Sequence, residues 1–420
     1  MQLQKKKQHP KIYPLFRLLM GLLCIILFFS GCSDVASSVL STSSVAPKVA
    51  SSSPAPAKAP EIKTETKLRA NLTRVDQIMQ GMTLDEELGQ MLLVEYIGSD
   101  YNNTNTALHG MITEGHIGGY LYQPVNGNFD PPADTIAGVD SVASQAQHDA
   151  KVPLLIAIDQ EGGDVNKLST FFGDAPSAND LGATGNPNAA YVQATQYAQE
   201  LKQTAINTDL APVVDVGQVS NLMNIRQFSN DPQTVATYAG KFLDGLQQHG
   251  IIGTLKHFPG LGSIPSNEDP HVVIPHDTQS MAQVEARDFI PYKQLIQKNN
   301  PAMIMTTDVY LDAVDPNNPA ELSSKVVTGL LRQQLHYNGV IITDGIYMLK
   351  NAGYMEIVPA SIQAVIAGND IVEGPYTLDT VNSIIAGLKQ AIQNGQLSHT
   401  QVDQSVQRIL LMKAQYGIIK

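Results

Sequence analysis

Two short stretches place a cation, two imidazoles and a carboxylate within sixteen residues: Lys256-His257-Phe258-Pro259-Gly260-Leu261-Gly262 and then Asp269-Pro270-His271. The first stretch ends an apolar run at residues 251–255, which predicts a buried strand. Imidazole titrates near neutral pH, so these side chains could take up and release protons during a reaction. Barrel enzymes carry their chemistry on loops at the carboxyl ends of strands, which is where this loop would lie. The alternative is a Gly- and Pro-rich turn with incidental polar residues.

Other predicted strands also end in polar residues. Asp344 directly follows the apolar run at residues 339–343, and corresponding positions after four further runs hold Asp159, Asp215, Lys256 and Asp308. Any one of these could be a satisfied structural group at a barrel rim. Buried carboxylates cost several kcal/mol unless they are paired, so their repeated occurrence favours convergence on one mouth.

Eight apolar, β-rich runs recur along the chain, at residues 91–97, 117–122, 153–158, 210–216, 251–255, 302–306, 339–343 and 371–372. Helical patterns alternate with them, and Thr83-Leu84-Asp85-Glu86 predicts a capping box that opens the first of these helices. Continuous apolar strands between helices are typical of a parallel sheet covered on both faces. We therefore predict an α/β fold, a single catalytic domain built as a (β/α)8 TIM-type barrel. A doubly wound open sheet is the alternative, although no G-x-G-x-x-G follows the first strand.

The N-terminus predicts export. Residues 1–31 combine a basic start with a short apolar run, and Phe29-Ser30-Gly31-Cys32 resembles a lipoprotein signal-peptidase site. Cleavage before Cys32 would leave lipid on its sulfur and anchor an extracytoplasmic protein to the cell membrane. A retained anchor helix is the alternative. Residues 32–62, rich in Ser, Ala and Pro, predict a flexible tether before the barrel domain at residues 63–420.

Composition excludes several classes of function. The formal net charge of −12 argues against nucleic acid and anionic membranes as partners, so membrane contact is expected only through the lipid. The 2 cysteines are Cys24 and Cys32, which leaves the mature domain without a disulfide, a thiol nucleophile or a Cys-ligated zinc. We predict no cofactor and no metal, and we expect a monomer. There is no Trp, so an aromatic platform for sugar would be Tyr or Phe.

Several blocks stand in an order that resembles a known family. Besides residues 256–262 and the Asp-x-His triplet, they are Leu155-Ile156-Ala157-Ile158-Asp159-Gln160-Glu161-Gly162-Gly163, Ala211-Pro212-Val213-Val214-Asp215-Val216, Arg226-x-Phe228, Pro319-Ala320-Glu321-Leu322-Ser323, Gly339-Val340-Ile341-Ile342-Thr343-Asp344 and Ala367-Gly368-Asn369-Asp370. Together they resemble glycoside hydrolase family 3, specifically its single-domain β-N-acetylglucosaminidase branch. The resemblance runs from about residue 72 to residue 418.

The resemblance implies a retaining exo-glycosidase that removes terminal β-linked N-acetylglucosamine from cell-wall or chitin-type oligosaccharides. Asp344 would be the nucleophile, His271 the acid/base and Asp269 the residue that orients it. Retention needs a nucleophile on one face of the sugar and a proton donor on the other, and a carboxylate stabilises an imidazolium. By the same resemblance, the residues that bind sugar hydroxyls would be Asp159, Arg226, Lys256 and His257. For these four the alternative is a rim ion pair, such as Asp159 with Lys256.

The sequence departs from the family pattern close to these residues: Pro270 in place of Ser, Leu261 in place of His, Asp164 in place of Arg, Asp308 in place of His, and a longer loop before Asp269. Proline also biases Asp269 towards extended geometry. A nearby carboxylate would raise the pKa of Asp344, and one near His271 would favour imidazolium. The hypothesis is an altered substrate preference or weak activity, and normal turnover by the purified domain would exclude the second version.

Three other functions fit parts of the sequence. One is a β-glucosidase, whose relatives usually carry a further C-terminal domain that supplies the acid/base, for which this sequence has no room. Another is a catalytically impaired sugar-binding lipoprotein that keeps the fold. The last is a metal hydrolase, which could use His257, Asp269, His271 and His276, although their spacing matches no closed zinc pattern.

Overall fold

The computed structural model describes residues 59–101, 107–217, 223–264, 267–374 and 377–420, which lie in one compact unit. The predicted signal peptide, Cys32 and the tether up to residue 58 lie outside these ranges. The first helix is Ala59–Gln80, so residues 59–62 of the predicted tether are helical. Among the described helices, none combines the length and the apolar character needed to cross a bilayer.

Eight parallel strands close into a barrel, which confirms the predicted TIM-type α/β fold. Each strand pairs with its neighbours in sequence, and the last strand closes onto the first through the pair Leu92↔Val372. The strands are β1 Leu92–Glu95, β2 Gly119–Leu121, β3 Leu155–Ile158, β4 Thr208–Asp209, β5 Ile252–Phe258, β6 Met303–Thr306, β7 Val340–Gly345 and β8 Ile371–Glu373.

Helices surround the barrel and explain the continuous apolar runs. Every residue of β5 is buried, as expected for a strand that is covered on both faces. The described α-helices are Ala59–Gln80, Leu84–Gln90, Leu108–Thr113, Ile136–Asp149, Ser169–Phe172, Ala178–Ala183, Asn188–Gln203, Pro232–Gln247, Met281–Ala286, Phe289–Lys298, Tyr347–Asn351, Ile357–Ala367, Leu378–Gln393 and His399–Gln415. A π-helix spans Lys325–Gln334, and 3-10 turns span Pro124–Asn126, Asn224–Arg226 and Ala320–Leu322.

The position of the fourth strand was predicted wrongly. The ladder residues of β4 are Thr208–Asp209, just before the predicted run at residues 210–216. Beyond β4 the chain makes an isolated bridge between Val213 and Lys256. Apolar character marked the buried segment correctly, but a ladder depends on the hydrogen bonds of two neighbouring strands, which hydrophobicity does not encode.

Two local sequence features act as their chemistry requires. The predicted capping box is confirmed, because the N–H of Glu86 donates to Thr83 Oγ1 at 3.3 Å and the N–H of Thr83 donates to Glu86 Oε2 at 2.8 Å. It opens the helix Leu84–Gln90. Gly262 packs directly on the backbone of Val216, where a Cβ would lie 1.6 Å from the carbonyl oxygen. Only glycine lets the loop after β5 pass there.

Two short ribbons fix loops that follow barrel strands. Gln160–Gly162 pairs antiparallel with Val165–Asn166 after β3. His276–Asp277 pairs in parallel with Tyr310–Leu311, which joins the loop after β5 to the loop after β6. The segment that carries Asp269 and His271 is therefore attached to its neighbour just downstream of the pair.

Candidate active site

A cavity of about 700 Å³ opens where the carboxyl ends of the strands meet. It is lined by six of the seven residues predicted for catalysis and sugar binding: Asp159, Arg226, Lys256, His257, His271 and Asp344. The seventh, Asp269, contacts the ring of His271. Asp344 and His271 therefore line one common cavity, although about seventy positions separate them in the sequence.

A buried ion network forms one side of this cavity. Lys256 Nζ lies 2.6 Å from Asp159 Oδ1 and 2.8 Å from Glu161 Oε1. Arg226 grips Glu161 with two nitrogens, Nε and Nη2, each 2.8 Å from a carboxylate oxygen. The ion pair between Asp159 and Lys256, which was the alternative to sugar binding, is therefore present. Asp159 and Arg226 keep 15% and 11% of their side chains exposed, so they still present polar surface to a ligand.

The members of the network stay charged in spite of their burial. Burial raises the pKa of Glu161, but the charges and hydrogen bonds of Arg226 and Lys256 outweigh it and hold the pKa well below its usual range. Burial lowers the pKa of Lys256, but the charges of Asp159 and Glu161 outweigh it and raise the pKa. Fixed charges in a site of restricted water are stronger than the same charges in solution.

His257 and Asp215 form a buried pair beside the network. His257 Nδ1 lies 2.7 Å from Asp215 Oδ2, and the side chains are 6% and 0% exposed. Asp215 Oδ1 also accepts the N–H of Leu261 at 2.9 Å, which ties the segment after β4 to the loop after β5. On the other edge of the ring, Arg226 Nη2 lies 3.4 Å from His257 Nε2. The imidazole is therefore held in a single orientation.

Asp344 is held as an anion. Thr307 Oγ1 donates to its Oδ2 at 2.8 Å, and the N–H of Gly345 donates to its Oδ1 at 2.9 Å. Burial raises the pKa of Asp344, but the charge of His257, these two hydrogen bonds and the charge of His271 outweigh burial, so the pKa lies below its ordinary value. An ionised carboxylate is the form that a nucleophile requires.

Asp308 does not raise the pKa of Asp344 above its ordinary value, so that prediction was wrong. Asp308 is 0% exposed, and its Oδ2 has no hydrogen-bond partner within the described ranges. Burial first, and the charge of Asp344 second, raise the pKa of Asp308 well above its usual value. Burial and the charges of Asp308 and Asp344 do the same to Glu321. Asp308 therefore takes the proton and Asp344 keeps the charge, whereas the prediction treated Asp308 as an anion.

His271 and Asp269 form a pair like that of His257 and Asp215, but in water. His271 Nδ1 lies 2.8 Å from Asp269 Oδ1, and the side chains are 52% and 44% exposed. The N–H of His271 also donates to Asp269 Oδ1 at 3.0 Å. Pro270 lines the cavity and does not prevent this contact. Two further departures from the family pattern, Asp164 and Leu261, also line the cavity.

Four residues of the site were not predicted. Glu161 bridges Arg226 and Lys256, and Thr307 donates to the nucleophile candidate. Glu95 and Glu373 line the cavity from the last residues of β1 and β8. The rule that singled out Asp344, a polar residue where an apolar run ends, would have found both glutamates if it had been applied to all eight runs.

Aromatic residues near strand ends are mostly core, as predicted. Tyr120 and Tyr122 are 0% exposed and Phe228 is 3% exposed. Tyr347 does line the cavity, next to Asp344 and Gly345. It is the aromatic residue to which a sugar ring could be stacked.

The histidines weighed as metal ligands do not converge. His257, His271 and His276 each turn Nδ1 to a different carboxylate, namely Asp215, Asp269 and Asp312. Within the described ranges, the side chains whose donor atoms gather closely enough to hold a metal are Glu87, His399 and Asp403, which do not line the cavity.

A closed parallel barrel whose mouth holds an ionised carboxylate, a basic network and a His–Asp pair is typical of TIM-barrel glycoside hydrolases. The chain belongs to glycosyl hydrolase family 3, since the model of the family's N-terminal domain matches residues 83–412. This confirms the resemblance seen in the sequence blocks.

Named relatives agree with the family. The chain is 29% identical over 370 residues to Beta-hexosaminidase A of Pseudoalteromonas piscicida, covering 79% of this chain and 61% of that protein. It is 33% identical over 264 residues to Beta-hexosaminidase of Nitrosomonas eutropha, covering 60% of this chain and 75% of that protein. The chain thus spans less than two thirds of the Pseudoalteromonas protein.

Solved structures give the same result. A glycoside hydrolase family 3 beta-N-acetylglucosaminidase from Paenibacillus sp. superposes with a TM-score of 0.73 at 29% identity, over 81% of this chain and 64% of that chain. Beta-N-acetylhexosaminidase from Beutenbergia cavernae superposes with a TM-score of 0.66 at 27% identity, over 78% of this chain and 98% of that chain.

Proposed function

We propose that the protein hydrolyses terminal β-linked N-acetylhexosamine, N-acetylglucosamine above all, from cell-wall or chitin-type oligosaccharides with retention of configuration. The names of its relatives support the type of bond. The observation that carries the mechanism is that an ionised Asp344 and a half-exposed His271 line one cavity of about 700 Å³. This volume lies within the range of about 300–1,000 Å³ that is usual for small-molecule sites.

In the first step, an oxygen of Asp344 bonds to the anomeric carbon while the bond from that carbon to the leaving oxygen breaks. The leaving oxygen keeps the electron pair and takes a proton from His271. Asp269 supports the protonated ring before this step, because a carboxylate in contact with Nδ1 stabilises imidazolium. The product is a glycosyl ester of Asp344 and a neutral His271.

In the second step, neutral His271 takes a proton from water, and the water oxygen bonds to the anomeric carbon. The ester bond breaks and returns Asp344 as a carboxylate. Two inversions at one carbon give net retention. The single imidazole acts as acid and then as base, for which a group that titrates near neutral pH is suited.

The ion network would hold the sugar while this happens. Asp159 accepts from sugar hydroxyls, and Arg226 donates to them from a guanidinium already fixed by Glu161. Lys256 is 3% exposed and mainly sets the position of Asp159 and Glu161. Charge-assisted hydrogen bonds to prepositioned groups lose little entropy when a ligand binds.

In this proposal the protein is exported and works as a monomer outside the cytoplasm, held to the membrane by lipid on Cys32. The basic and then apolar leader before Cys32 supports this. In a Cys32→Ala variant the protein should move from the membrane fraction to the soluble fraction. Protein that stays with the membrane would favour the retained anchor helix instead.

The decisive experiment measures release of an aryl group from N-acetyl-β-glucosaminide and from β-glucoside, with the anomer of the first product identified by NMR. Wild type should prefer the acetylated substrate and release the β anomer first. Asp344→Asn should lose activity by about 10³-fold or more, because an amide cannot serve as the nucleophile. Asp312→Asn is the matched control, since Asp312 pairs with His276 and does not line the cavity.

The other outcomes separate the alternatives. Unchanged rates in Asp344→Asn would refute the nucleophile assignment. A first product of inverted configuration would refute the retaining mechanism. Sugar binding without turnover in wild type would favour the impaired sugar-binding lipoprotein, and a preference for the glucoside would favour a β-glucosidase.

A further inference from the structure

One wall of the cavity has no part in the reaction described above. It is made by Glu95 and Glu373, the last residues of β1 and β8, which are adjacent in the barrel. Both line the cavity, and both are 3% exposed as whole residues. Asn126 donates from Nδ2 to Glu95 Oε2 at 2.7 Å. We refer to Glu95 and Glu373 as the carboxyl wall.

The carboxyl wall reaches the reacting centre. Glu373 is the partner of Gly345 in the ladder between β7 and β8, and Gly345 directly follows Asp344. A Cβ at Gly345 would lie 3.1 Å from Glu373 Oε2, so glycine leaves the carboxyl group room beside the nucleophile. A group bound by Glu373 would therefore belong to the sugar whose anomeric carbon Asp344 attacks.

The wall offers acceptors and little else. Glu373 Oε1 is buried and receives no hydrogen bond from any donor of the described ranges. Burial, the charges of Glu95 and Asp344, and contact with the Glu95 carboxylate raise the pKa of Glu373 well above its usual value. Glu373 thus holds a proton and shares it with Glu95. A place in a cavity that retains a proton at neutral pH also suits another small cation.

No cation of the network is available to this wall. Lys256 is engaged by Asp159 and Glu161, and Arg226 is engaged by Glu161. A ligand that brings its own positive charge and several N–H donors fits best. A protonated primary amine has three N–H donors and no acceptor, whereas an acetamido group brings one donor and a carbonyl that needs a donor in return.

We propose that Glu95 and Glu373 bind the protonated amine of an unacetylated amino sugar, so that the cavity recognises glucosaminide-type glycosides in addition to acetylated ones. The ammonium group takes the place of the shared proton, which passes to solvent. This inference rests on the proposed function, because it takes the cavity to be the site of the sugar that is cleaved.

The test is calorimetric titration of the full chain with glucosamine and with glucose, which differ in an amine and a hydroxyl at one carbon. Titrations are run in two buffers of different ionisation enthalpy, at a pH where the amine is protonated. Glucosamine should bind more tightly by about tenfold or more, as a hydrogen bond between charged groups allows. Binding should release protons to the buffer. Equal affinities, or binding of glucosamine without proton release, would overturn the inference.

Variants locate the effect. Glu373→Gln and Glu95→Gln should each reduce the preference for glucosamine over glucose by about tenfold, since each removes one carboxylate from the pair. Glu200→Gln is the matched control, because Glu200 is a buried glutamate that does not line the cavity. Melting temperatures check that the variants fold, and the proton release of wild type tests the idea without any variant. A preference that survives in both variants would contradict the assignment.

Two further arms separate causes. Titration with Ca²⁺ alone should give no binding that Glu373→Gln abolishes; if it does and glucosamine fails to bind, the wall is an inorganic cation site and the inference is wrong. If glucosamine binds with proton release but acetylated substrate is not hydrolysed, the proposed function fails while this inference stands. Hydrolysis of acetylated substrate with no preference for glucosamine gives the reverse result.

Discussion

Two His–Asp pairs in this molecule share one geometry and differ in their surroundings. His257 Nδ1 lies 2.7 Å from Asp215, and His271 Nδ1 lies 2.8 Å from Asp269. The first pair is almost fully buried, whereas about half of each side chain in the second is exposed. Low surrounding polarity strengthens and fixes the first contact, while water and ions weaken the second.

The comparison teaches that the same contact serves two purposes in one cavity. The buried pair holds a ring whose charge helps to keep Asp344 ionised. The exposed pair lies at the water-accessible side, where a proton can pass to a leaving group and be taken back from water. A third pair, His276 with Asp312 at 2.8 Å, has the exposure of the second pair and does not line the cavity, so it is a natural control.

The largest effect is expected from His271→Ala. It should lower kcat/KM by about 10²–10⁴-fold on substrates with poor leaving groups, because proton donation is lost. Aryl glycosides with good leaving groups should lose less at the first step, and azide should restore turnover at the second. His276→Ala should leave these rates unchanged. Equal losses in the two variants would show that His271 acts on the fold and not on the reaction.

A smaller effect, on stability, distinguishes the two pairs directly. Asp215→Ala should lower the free energy of unfolding by about 3 kcal/mol or more, because it leaves a buried imidazole and the N–H of Leu261 without their acceptor. Asp269→Ala should lower it by less than about 1 kcal/mol, as for exposed ion pairs. Urea unfolding followed by circular dichroism measures both. Similar costs would mean that burial does not separate the pairs.

The smallest effect concerns the pH dependence of the buried side. Wild-type Asp344 has a pKa below 3.8, so the acid limb of kcat/KM that belongs to it lies below that pH, and activity falls as pH drops through it. Thr307→Val removes one hydrogen bond to the anion and should move this limb to higher pH by about one unit.

A neighbouring threonine provides the control for this change. Thr306→Val removes a hydroxyl that donates to Asn369 at 2.8 Å, and it should leave the limb in place. The comparison uses the pH profile of kcat/KM for one aryl substrate. A limb that does not move in Thr307→Val would show that this hydrogen bond does not set the ionisation of Asp344.

The barrel and most of the cavity lining could be predicted from the sequence, because both depend on local patterns. Apolar runs marked all eight buried segments, and polar residues at their ends converge because parallel strands share one carboxyl edge. That rule placed Asp159, Lys256 and Asp344 in one cavity. His271 was placed by its resemblance to a family motif, since a loop has no periodic signal of its own.

What the sequence could not supply depends on distances between segments far apart in the chain. The residues of β4 are set by their partners in β3 and β5. The proton on Asp308 follows from burial and from the charge of Asp344, neither of which a list of residues contains. The roles of Glu161 and Thr307 likewise appear only when their partners are in contact.

The ribbon between His276–Asp277 and Tyr310–Leu311 has a consequence for how this branch of the barrel can vary. The ring of His276 stacks on Tyr310 with centroids 4.3 Å apart, which clasps the segment downstream of His271. Extra residues inserted ahead of Asp269 are taken up before the clasp and do not propagate into the strands. Lengthening such a segment costs little entropy. The acid/base thus travels on an exchangeable cassette, which evolution or a protein engineer can resize while the floor of the pocket stays the same.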